Sequence, residues 1–176
     1  MCKRYIGIDP GSKGAVAVIV GDTCLGFIDL NKDYHVYWEI ISDLEDYTGY
    51  YLKNYVAVEE VCGRPGQSCQ ANTTFMKLAG MAELAGYCIG EMSLVKPQVW
   101  KKHFDLIFPK TMTKAEKKRK SVELARELYP EVADELLYTK DGRAEALLIA
   151  RYIKDVQENA RVNEENKPDC RETVED

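Results

Sequence analysis

Two short apolar runs of this chain each end in an acidic residue. The run over residues 4–9 ends at Asp9, and a Pro-Gly-Ser-Lys-Gly turn leads from it into a second run over residues 15–20. The run over residues 55–59 ends at Glu59, which is followed directly by Glu60. Valine- and isoleucine-rich runs of this length, bounded by glycine turns, predict β-strands. Asp9 and either Glu59 or Glu60 are therefore expected at strand ends.

The remaining pattern alternates between strand and helix signals, which predicts an α/β domain. The first three strands should form an antiparallel meander and the later strands should pair in parallel, giving a mixed five-stranded sheet flanked by helices. The glycine-rich segment 62–71 is predicted to be a loop. We expect strands at about 4–9, 14–20, 23–30, 55–60 and 93–96, and helices at about 36–47, 72–88, 97–104, 113–128 and 141–156.

Two further acidic residues, Asp141 and Glu145, open the last predicted helix. Their spacing of four residues places both side chains on one helix face. Glu145 lies close to the apolar side of that helix, whereas Asp141 also suits the position of a helix N-cap. Asp141 is thus either a member of an acidic site or a structural cap.

Carboxylates from two strand ends and a late helix meet at one point only after folding. Clustered carboxylates repel one another unless cations neutralise them, and oxygen ligands of this kind suit Mg²⁺. The four acids Asp9, Glu59, Asp141 and Glu145 therefore predict a divalent metal site that acts on phosphodiesters.

Charge is unevenly distributed along the chain, whose formal net charge is −5. Residues 157–176 contain seven acidic and three basic residues, and we expect them to form a disordered acidic tail after a domain over residues 1–156. Residues 96–120 contain nine lysine or arginine residues against two acidic ones. Because local charge governs phosphate binding, this segment is either a DNA-binding surface or a solvated helix face.

No apolar run approaches the length of a membrane span, and the start of the chain does not fit a signal peptide. We therefore expect a cytoplasmic protein, in the host cytoplasm if a phage encodes it. The six cysteines form no Cys-x-x-Cys pair and only two histidines are present, which argues against a zinc site.

Three segments resemble the acidic motifs of RuvC-type Holliday junction resolvases, which are ribonuclease H-like nucleases. They are residues 6–11 (Ile-Gly-Ile-Asp-Pro-Gly), 57–59 (Ala-Val-Glu) and 144–150 (Ala-Glu-Ala-Leu-Leu-Ile-Ala). The resemblance extends over about residues 4–155. Trp100-Lys101 after Pro97, and the pair Lys120-Ser121, look most like the phage branch of that family.

The resemblance implies a homodimer that binds four-way DNA junctions and introduces paired symmetric nicks, with possible action on other branched DNAs. It implies two Mg²⁺ ions per site, replaceable by Mn²⁺, held by Asp9, Glu59, Glu145 and Asp141. The bacterial pattern has aspartates at the positions of Gly142 and Glu145, so Asp141 is expected to replace the missing acid. Lys101 or Lys102, together with Lys120, match the family's basic positions and are expected to contact the scissile phosphate or its neighbours. Arg64, in the glycine-rich loop, and Lys117 and Lys118 are further candidates for contact with DNA.

The bacterial members also place an aromatic residue three positions after the second-motif glutamate, where this chain has Cys62. Their way of opening junctions and their sequence preference are therefore not carried over.

The sequence is also compatible with two other classes of protein. One is a non-catalytic junction-binding or assembly protein on the same fold, in which an acid would be expected to be missing. The other is an actin-like or sugar-kinase-type ATP-binding fragment, since those folds also begin with an aspartate-glycine meander. It would require a second glycine-rich phosphate loop, which this sequence lacks.

Overall fold

The fold is described from a computed structural model that covers residues 3–11, 13–30, 35–46, 53–63, 66 and 68–165. The strands are β1 (Lys3–Ile8), β2 (Ala15–Val20), β3 (Thr23–Asp29), β4 (Lys53–Glu59) and β5 (Glu91–Val95). The α-helices are α1 (His35–Asp46), α2 (Cys69–Ile89), α3 (Pro97–His103), α4 (Lys114–Leu128) and α5 (Asp141–Glu165), with a 3-10 helix at Pro130–Glu135. Among these helices, none is both long and apolar enough to cross a membrane.

The five strands form one mixed sheet in the order β3-β2-β1-β4-β5. β2 pairs antiparallel with β1 and β3, whereas β4 pairs parallel with β1 and β5. The predicted mixed sheet, with an antiparallel meander followed by parallel strands, is confirmed. Ile8 is paired with Val58 in the parallel register, so the two strands end side by side.

Each face of the sheet carries its own apolar core, because alternate side chains of a strand point to opposite faces. Ile6 and Val56 face α1 and α2, and Tyr5 and Ala57 face α5 and α4. Val56 and Val58 belong to the first of these cores and Ala57 belongs to the second. The face covered by α5 is also the one toward which alternation directs Asp9 and Glu59.

Helix α5 lies unusually close to β1 because β1 has a glycine at the contact. A Cβ atom added to Gly7 would lie 2.1 Å from the carbonyl oxygen of Ala146 and 2.3 Å from the nitrogen of Ala150. Any larger residue would push the helix away from the strand. The small residues at this contact set the height of α5 above the sheet.

Several boundaries differ from the predicted ones, and a local hydrogen bond explains one of them. α2 starts at Cys69 instead of 72, because the Ser68 side chain caps the helix by accepting a bond of 3.1 Å from the backbone N–H of Ala71. α4 begins where it was predicted, and Thr113 and Glu116 form a capping box there. The 3-10 helix after α4 was not predicted.

Helix α5 continues to Glu165, nine residues past its predicted end at 156. The first part of the predicted disordered tail is therefore helical, since glutamate, arginine and alanine there all favour helix and no proline or glycine interrupts it. Residues 166–176 lie outside the described residues. The division into a domain and a tail stays a prediction.

Candidate active site

Asp9 and Glu59 come together because two parallel strands end at the same edge of the sheet. Asp9 is the first residue after β1 and Glu59 is the last residue of β4, next to β1. The backbone N–H of Asp9 bonds to the carbonyl of Ala15 at 3.0 Å, and Asp9 Oδ1 accepts a bond of 3.1 Å from the N–H of Gly11. The glycine turn therefore fixes the direction of the Asp9 side chain.

Helix α5 adds the other two acids to this edge. Gly142 packs against the turn that follows Asp9, since an added Cβ would lie 2.1 Å from the carbonyl oxygen of Lys13. Position 142 thus has no room for a side chain, and Asp141 and Glu145 on either side of it are the acids that α5 presents. Asp141 is the first helical residue of α5, one position after the cap.

All four predicted acids line one cavity of about 930 Å³. Residues from α2, α3 and α4 complete its wall, so the cavity lies where the sheet edge meets the helices. The wall also carries five basic side chains: Lys13, Lys101, Lys114, Lys117 and Lys118.

The acidic cluster is electrostatically unfavourable without a cation. The pKa of Asp9 is raised from 3.8 to about 7, first because burial removes the carboxylate from water. Repulsion from Glu145, then from Glu59, and to a smaller degree from Asp141 raises it further, while the Gly11 N–H lowers it. The negative charges of the other three acids thus all raise the pKa of Asp9.

The other three acids each contact a protein partner. Trp100 Nε1 donates a hydrogen bond of 2.8 Å to Glu59 Oε2. Lys101 Nζ lies 3.6 Å from Glu145 Oε1, and Lys118 forms an ion pair with Asp141. Within the cavity, two lysine ammonium groups thus lie beside the carboxylates of Glu145 and Asp141.

The donor chemistry fits a hard divalent cation, because every candidate ligand is a carboxylate oxygen. As the side chains are placed, however, no three histidine, cysteine, aspartate or glutamate residues in the described part of the chain are arranged to hold one metal ion. Glu145 and Asp141 are instead paired with Lys101 and Lys118.

The structure separates the remaining predicted residues. Glu60 lines a second cavity, together with β5 and α5 residues, so Glu59 and not Glu60 belongs with Asp9. Lys117 lies in the wall of the acidic cavity, whereas exposed Lys102 and Lys120 do not line it. Lys120 Nζ contacts Glu123 Oε2 at 2.9 Å on the exposed side of α4. Arg64 lies outside the described residues.

Sequence reasoning did not assign Trp100, Lys13 or Lys114 to the site. Trp100 is fully buried and holds Glu59, and its position three residues after Pro97 was noted only as part of a motif. Lys13 lies four residues after Asp9 in the glycine turn. This short distance along the chain is the sequence signal that could have assigned Lys13 to the site. Lys114 lies at the start of α4, and only the fold brings it to the cavity.

Comparison with known proteins gives a match at the level of structure. No family model matches the chain, and no curated protein matches it. A structure described as T. thermophilus RuvC in complex with Holliday junction substrate matches with a TM-score of 0.55 and 16% identity, covering 89% of this chain and 96% of that one. A second, described as Thermus thermophilus RuvC structure, has a TM-score of 0.45, 18% identity and coverage of 89% and 97%.

The first of these similarities shows that the chain has the ribonuclease H-like fold of RuvC. The fold expected from the resemblance of the three acidic motifs is therefore confirmed. The placement in a phage branch stays a prediction.

Proposed function

We propose that this protein is a metal-dependent DNA endonuclease that resolves four-way junctions, and other branched DNAs, by paired nicks. The observation that carries the proposal is the acidic cavity itself, whose wall contains four carboxylates from three elements of the fold together with five lysines. Phosphodiester backbones carry one negative charge per phosphate, so the lysines attract DNA toward carboxylates that would otherwise repel it.

The carboxylates of Asp9, Glu59, Asp141 and Glu145 would hold Mg²⁺, or Mn²⁺ in its place. When bound, such ions lower the pKa of an attacking water and stabilise the leaving oxygen of a phosphodiester. A cation would favour the ionised form of Asp9, because neutralising the cluster removes the repulsion that raises the pKa of this carboxyl.

The lysines in the cavity act twice in this proposal. Lys101 and Lys118 pair with Glu145 and Asp141 before the metal binds. Once a cation neutralises these acids, both ammonium groups become available to DNA phosphate. Metal binding and DNA binding at this site are thereby expected to strengthen each other.

Basic residues outside the cavity extend the proposed contact with DNA. Lys102 and Lys120 are exposed on α3 and α4, the two helices that also carry Lys101, Lys117 and Lys118. We assign them, with Arg64, to phosphates that flank the one being cleaved. The structural neighbour described as a complex with a Holliday junction substrate supports four-way junctions as the first substrate to test.

The deciding experiment incubates the protein with Mg²⁺ and end-labelled four-way, three-way, flap and linear duplex DNAs and maps each nick. We expect symmetric nicks at the branch point of four-way junctions, none in linear duplex, and none when EDTA replaces Mg²⁺. Asp9→Asn serves as the matched control. Junction binding without nicking by the wild-type protein under Mg²⁺ and Mn²⁺ would contradict the proposal and favour a non-catalytic binding protein.

A further inference from the structure

The two edges of the sheet differ in how they are protected. At the β3 edge, the backbone N–H of Cys24 donates a hydrogen bond of 3.1 Å to Glu131 Oε1 on the 3-10 helix. At the end of the same strand, Asp29 pairs with Arg143 of α5 at 2.6 Å. β5 has β4 on one side, and within the described residues no strand pairs with its other side. An open edge of this kind is a template for the addition of a further strand.

The backbone in the middle of β5 offers hydrogen-bonding groups at this open edge. The Val95 carbonyl accepts a bond of 2.9 Å from the Glu60 N–H, which directs the backbone groups of residue 95 toward β4. Because these groups alternate between the two sides of a strand, the N–H and C=O of Leu94 point away from β4. The one charged residue of β5, Glu91, is at the start of the strand and pairs with Lys53 at 2.8 Å. Leu94 thus presents a donor and an acceptor to an added strand.

An apolar cavity of about 330 Å³ lies beside the same edge. Its wall is formed by β5, α3 and α5, and its aliphatic members are Leu94, Val95, Val99, Ile153 and Val156. Leu94 and Val99 are 45% and 47% exposed, so the domain itself leaves much of this apolar surface uncovered. Alternate side chains of a strand added to β5 would lie over the cavity.

The charges around the cavity favour an acidic occupant. Lys96 lines the cavity, and Lys102 lies about one helical turn after Val99 on α3. Both lysines are exposed, and neither forms an ion pair with a residue that the structure describes. The cavity wall opposes them with one acidic residue, Glu60. The excess of positive charge is complementary to a carboxylate on the occupant.

We propose that the β5 groove, defined by Leu94, Val95, Lys96, Val99, Ile153 and Val156, binds an extended segment of another protein as a sixth strand. This segment has an aliphatic and an acidic residue two positions apart, because residues with that spacing share one face of a strand. The aliphatic side chain enters the cavity and the carboxylate contacts Lys96. Backbone hydrogen bonds to the strand edge give affinity, and the cavity selects the side chain.

A peptide matches the β5 groove better than DNA does. A DNA backbone offers phosphates to Lys96, but it has no amide N–H to donate to the Leu94 carbonyl. It also has no aliphatic side chain for the cavity beside Val99. The proposal does not rest on the proposed nuclease function, because none of its contacts involves the acidic cavity.

A peptide selection tests the proposal directly. Random twelve-residue peptides displayed on filamentous phage are selected against the full-length wild-type protein, with counter-selection against Leu94→Pro. Proline removes the outward N–H of residue 94 and is tolerated on an edge strand, so the variant should fold. We expect the enriched peptides to share an aliphatic and an acidic residue two positions apart.

Affinities of synthetic copies of the enriched peptides separate the contributions of backbone and cavity. By fluorescence anisotropy, Leu94→Pro should bind about tenfold more weakly than wild type, because a backbone hydrogen bond is lost. Val99→Glu should weaken binding at least as much, because it places a charge in the apolar wall. Leu94→Thr is the matched control, since it keeps the N–H and should bind nearly as well as wild type. Thermal unfolding confirms that each variant is folded.

Several outcomes would overturn the proposal. A selection that enriches no peptide, or peptides that bind wild type and Leu94→Pro equally well, would show that the edge does not accept a strand. Displacement of the peptides by a synthetic copy of residues 166–176 would assign the groove to the chain's own terminus. A wild-type oligomer that Leu94→Pro dissociates in sedimentation velocity would assign it to a second copy, and weaker junction binding by Leu94→Pro would assign it to DNA. Absence of nicking by the wild-type protein would contradict the nuclease proposal and leave the β5 groove unaffected.

Discussion

The indole N–H of Trp100 holds Glu59 Oε2 at 2.8 Å in the wall of the acidic cavity. Trp100 is fully buried, and Lys101 Nζ lies 4.8 Å from the centre of its ring. A buried donor to a carboxylate fixes the carboxylate rotamer, as groups that orient metal ligands do. Trp100 is therefore a positioning residue for Glu59.

Trp100→Phe should weaken Mg²⁺ binding about 10- to 100-fold, because Glu59 loses the donor that orients it while most of the packing is kept. Calorimetric titration with Mg²⁺ and the Mg²⁺ concentration for half-maximal nicking measure the effect. Val99→Ala, at an exposed neighbouring position on α3, should change neither quantity. Equal Mg²⁺ affinity in Trp100→Phe and wild type would show that the hydrogen bond does not orient a ligand.

Asp9→Asn and Glu59→Gln should abolish nicking and leave junction binding intact or tighter. Each substitution keeps the shape of the side chain and removes a negative charge that repels phosphate. Gel-shift binding and nicking assays on the same four-way junction separate the two effects. Wild-type nicking by either variant would remove that residue from the proposed metal site.

Glu145→Gln and Asp141→Asn should both eliminate Mg²⁺-dependent nicking, although Asp141 is at the very start of α5. Asparagine lacks the charge that favours aspartate in the first turn of a helix and that pairs with Lys118, but such contributions are at most about 1 kcal/mol, so the melting temperature of Asp141→Asn should fall by only a few degrees. Thermal unfolding alongside the nicking assay distinguishes a lost ligand from a weakened helix. A fully active Asp141→Asn protein would leave three carboxylates in the site.

Lys118→Ala and Lys120→Ala should have different effects on metal binding. Lys118 neutralises Asp141, so its removal should tighten Mg²⁺ binding while weakening DNA binding. Lys120 is paired with Glu123 outside the cavity, so its removal should leave Mg²⁺ binding unchanged. Each variant should lower the log–log salt slope of junction binding by roughly one unit. Unchanged slopes in both would indicate that α4 is a solvated face.

The raised pKa of Asp9 makes the metal-free protein less stable as pH rises. Below the ordinary pKa of 3.8 the carboxyl is protonated in both the folded and unfolded states, and its contribution to stability is complete. As pH rises toward the folded-state pKa of about 7, the unfolded state ionises first and that contribution is lost. The loss should be on the order of 4 kcal/mol at most.

Urea unfolding in EDTA at pH 5 and pH 8 measures this effect, with Asp9→Asn as the reference in which residue 9 does not titrate. We expect the stability of the wild type to fall more between the two pH values than that of Asp9→Asn. Mg²⁺ should reverse the loss at pH 8. Parallel pH profiles for the two proteins would show that Asp9 does not carry the charge repulsion.

The sheet was predictable from the sequence because its signals are local. The glycine turns around β1 and β2 and the valine-rich run of β4 indicate strands without knowledge of the fold. The capping box of Thr113 and Glu116 likewise marks the start of α4 from four residues. The start of α2 was predicted three residues too late, because its cap Ser68 lies in a glycine-rich segment that is typical of a loop.

The members of the acidic cluster were also predictable, because each stands at the end of a recognisable strand or helix. The residues that contact these acids were not predictable from the sequence. Nothing near Trp100 in the sequence points to Glu59, and the pairing of Lys118 with Asp141 depends on how α4 packs against α5. The choice between Glu59 and Glu60 likewise required the sheet, since the two side chains leave the strand in opposite directions.

The contact between Gly7 and Ala146 joins the first strand to the last helix. Asp9 lies two residues after Gly7 and Glu145 lies directly before Ala146, so the acidic cluster is completed only when α5 has docked on β1. During synthesis the first strand emerges long before the last helix, and a partly made chain has no complete set of carboxylates. Any hydrolysis at this site therefore requires that the whole domain has been synthesised and folded.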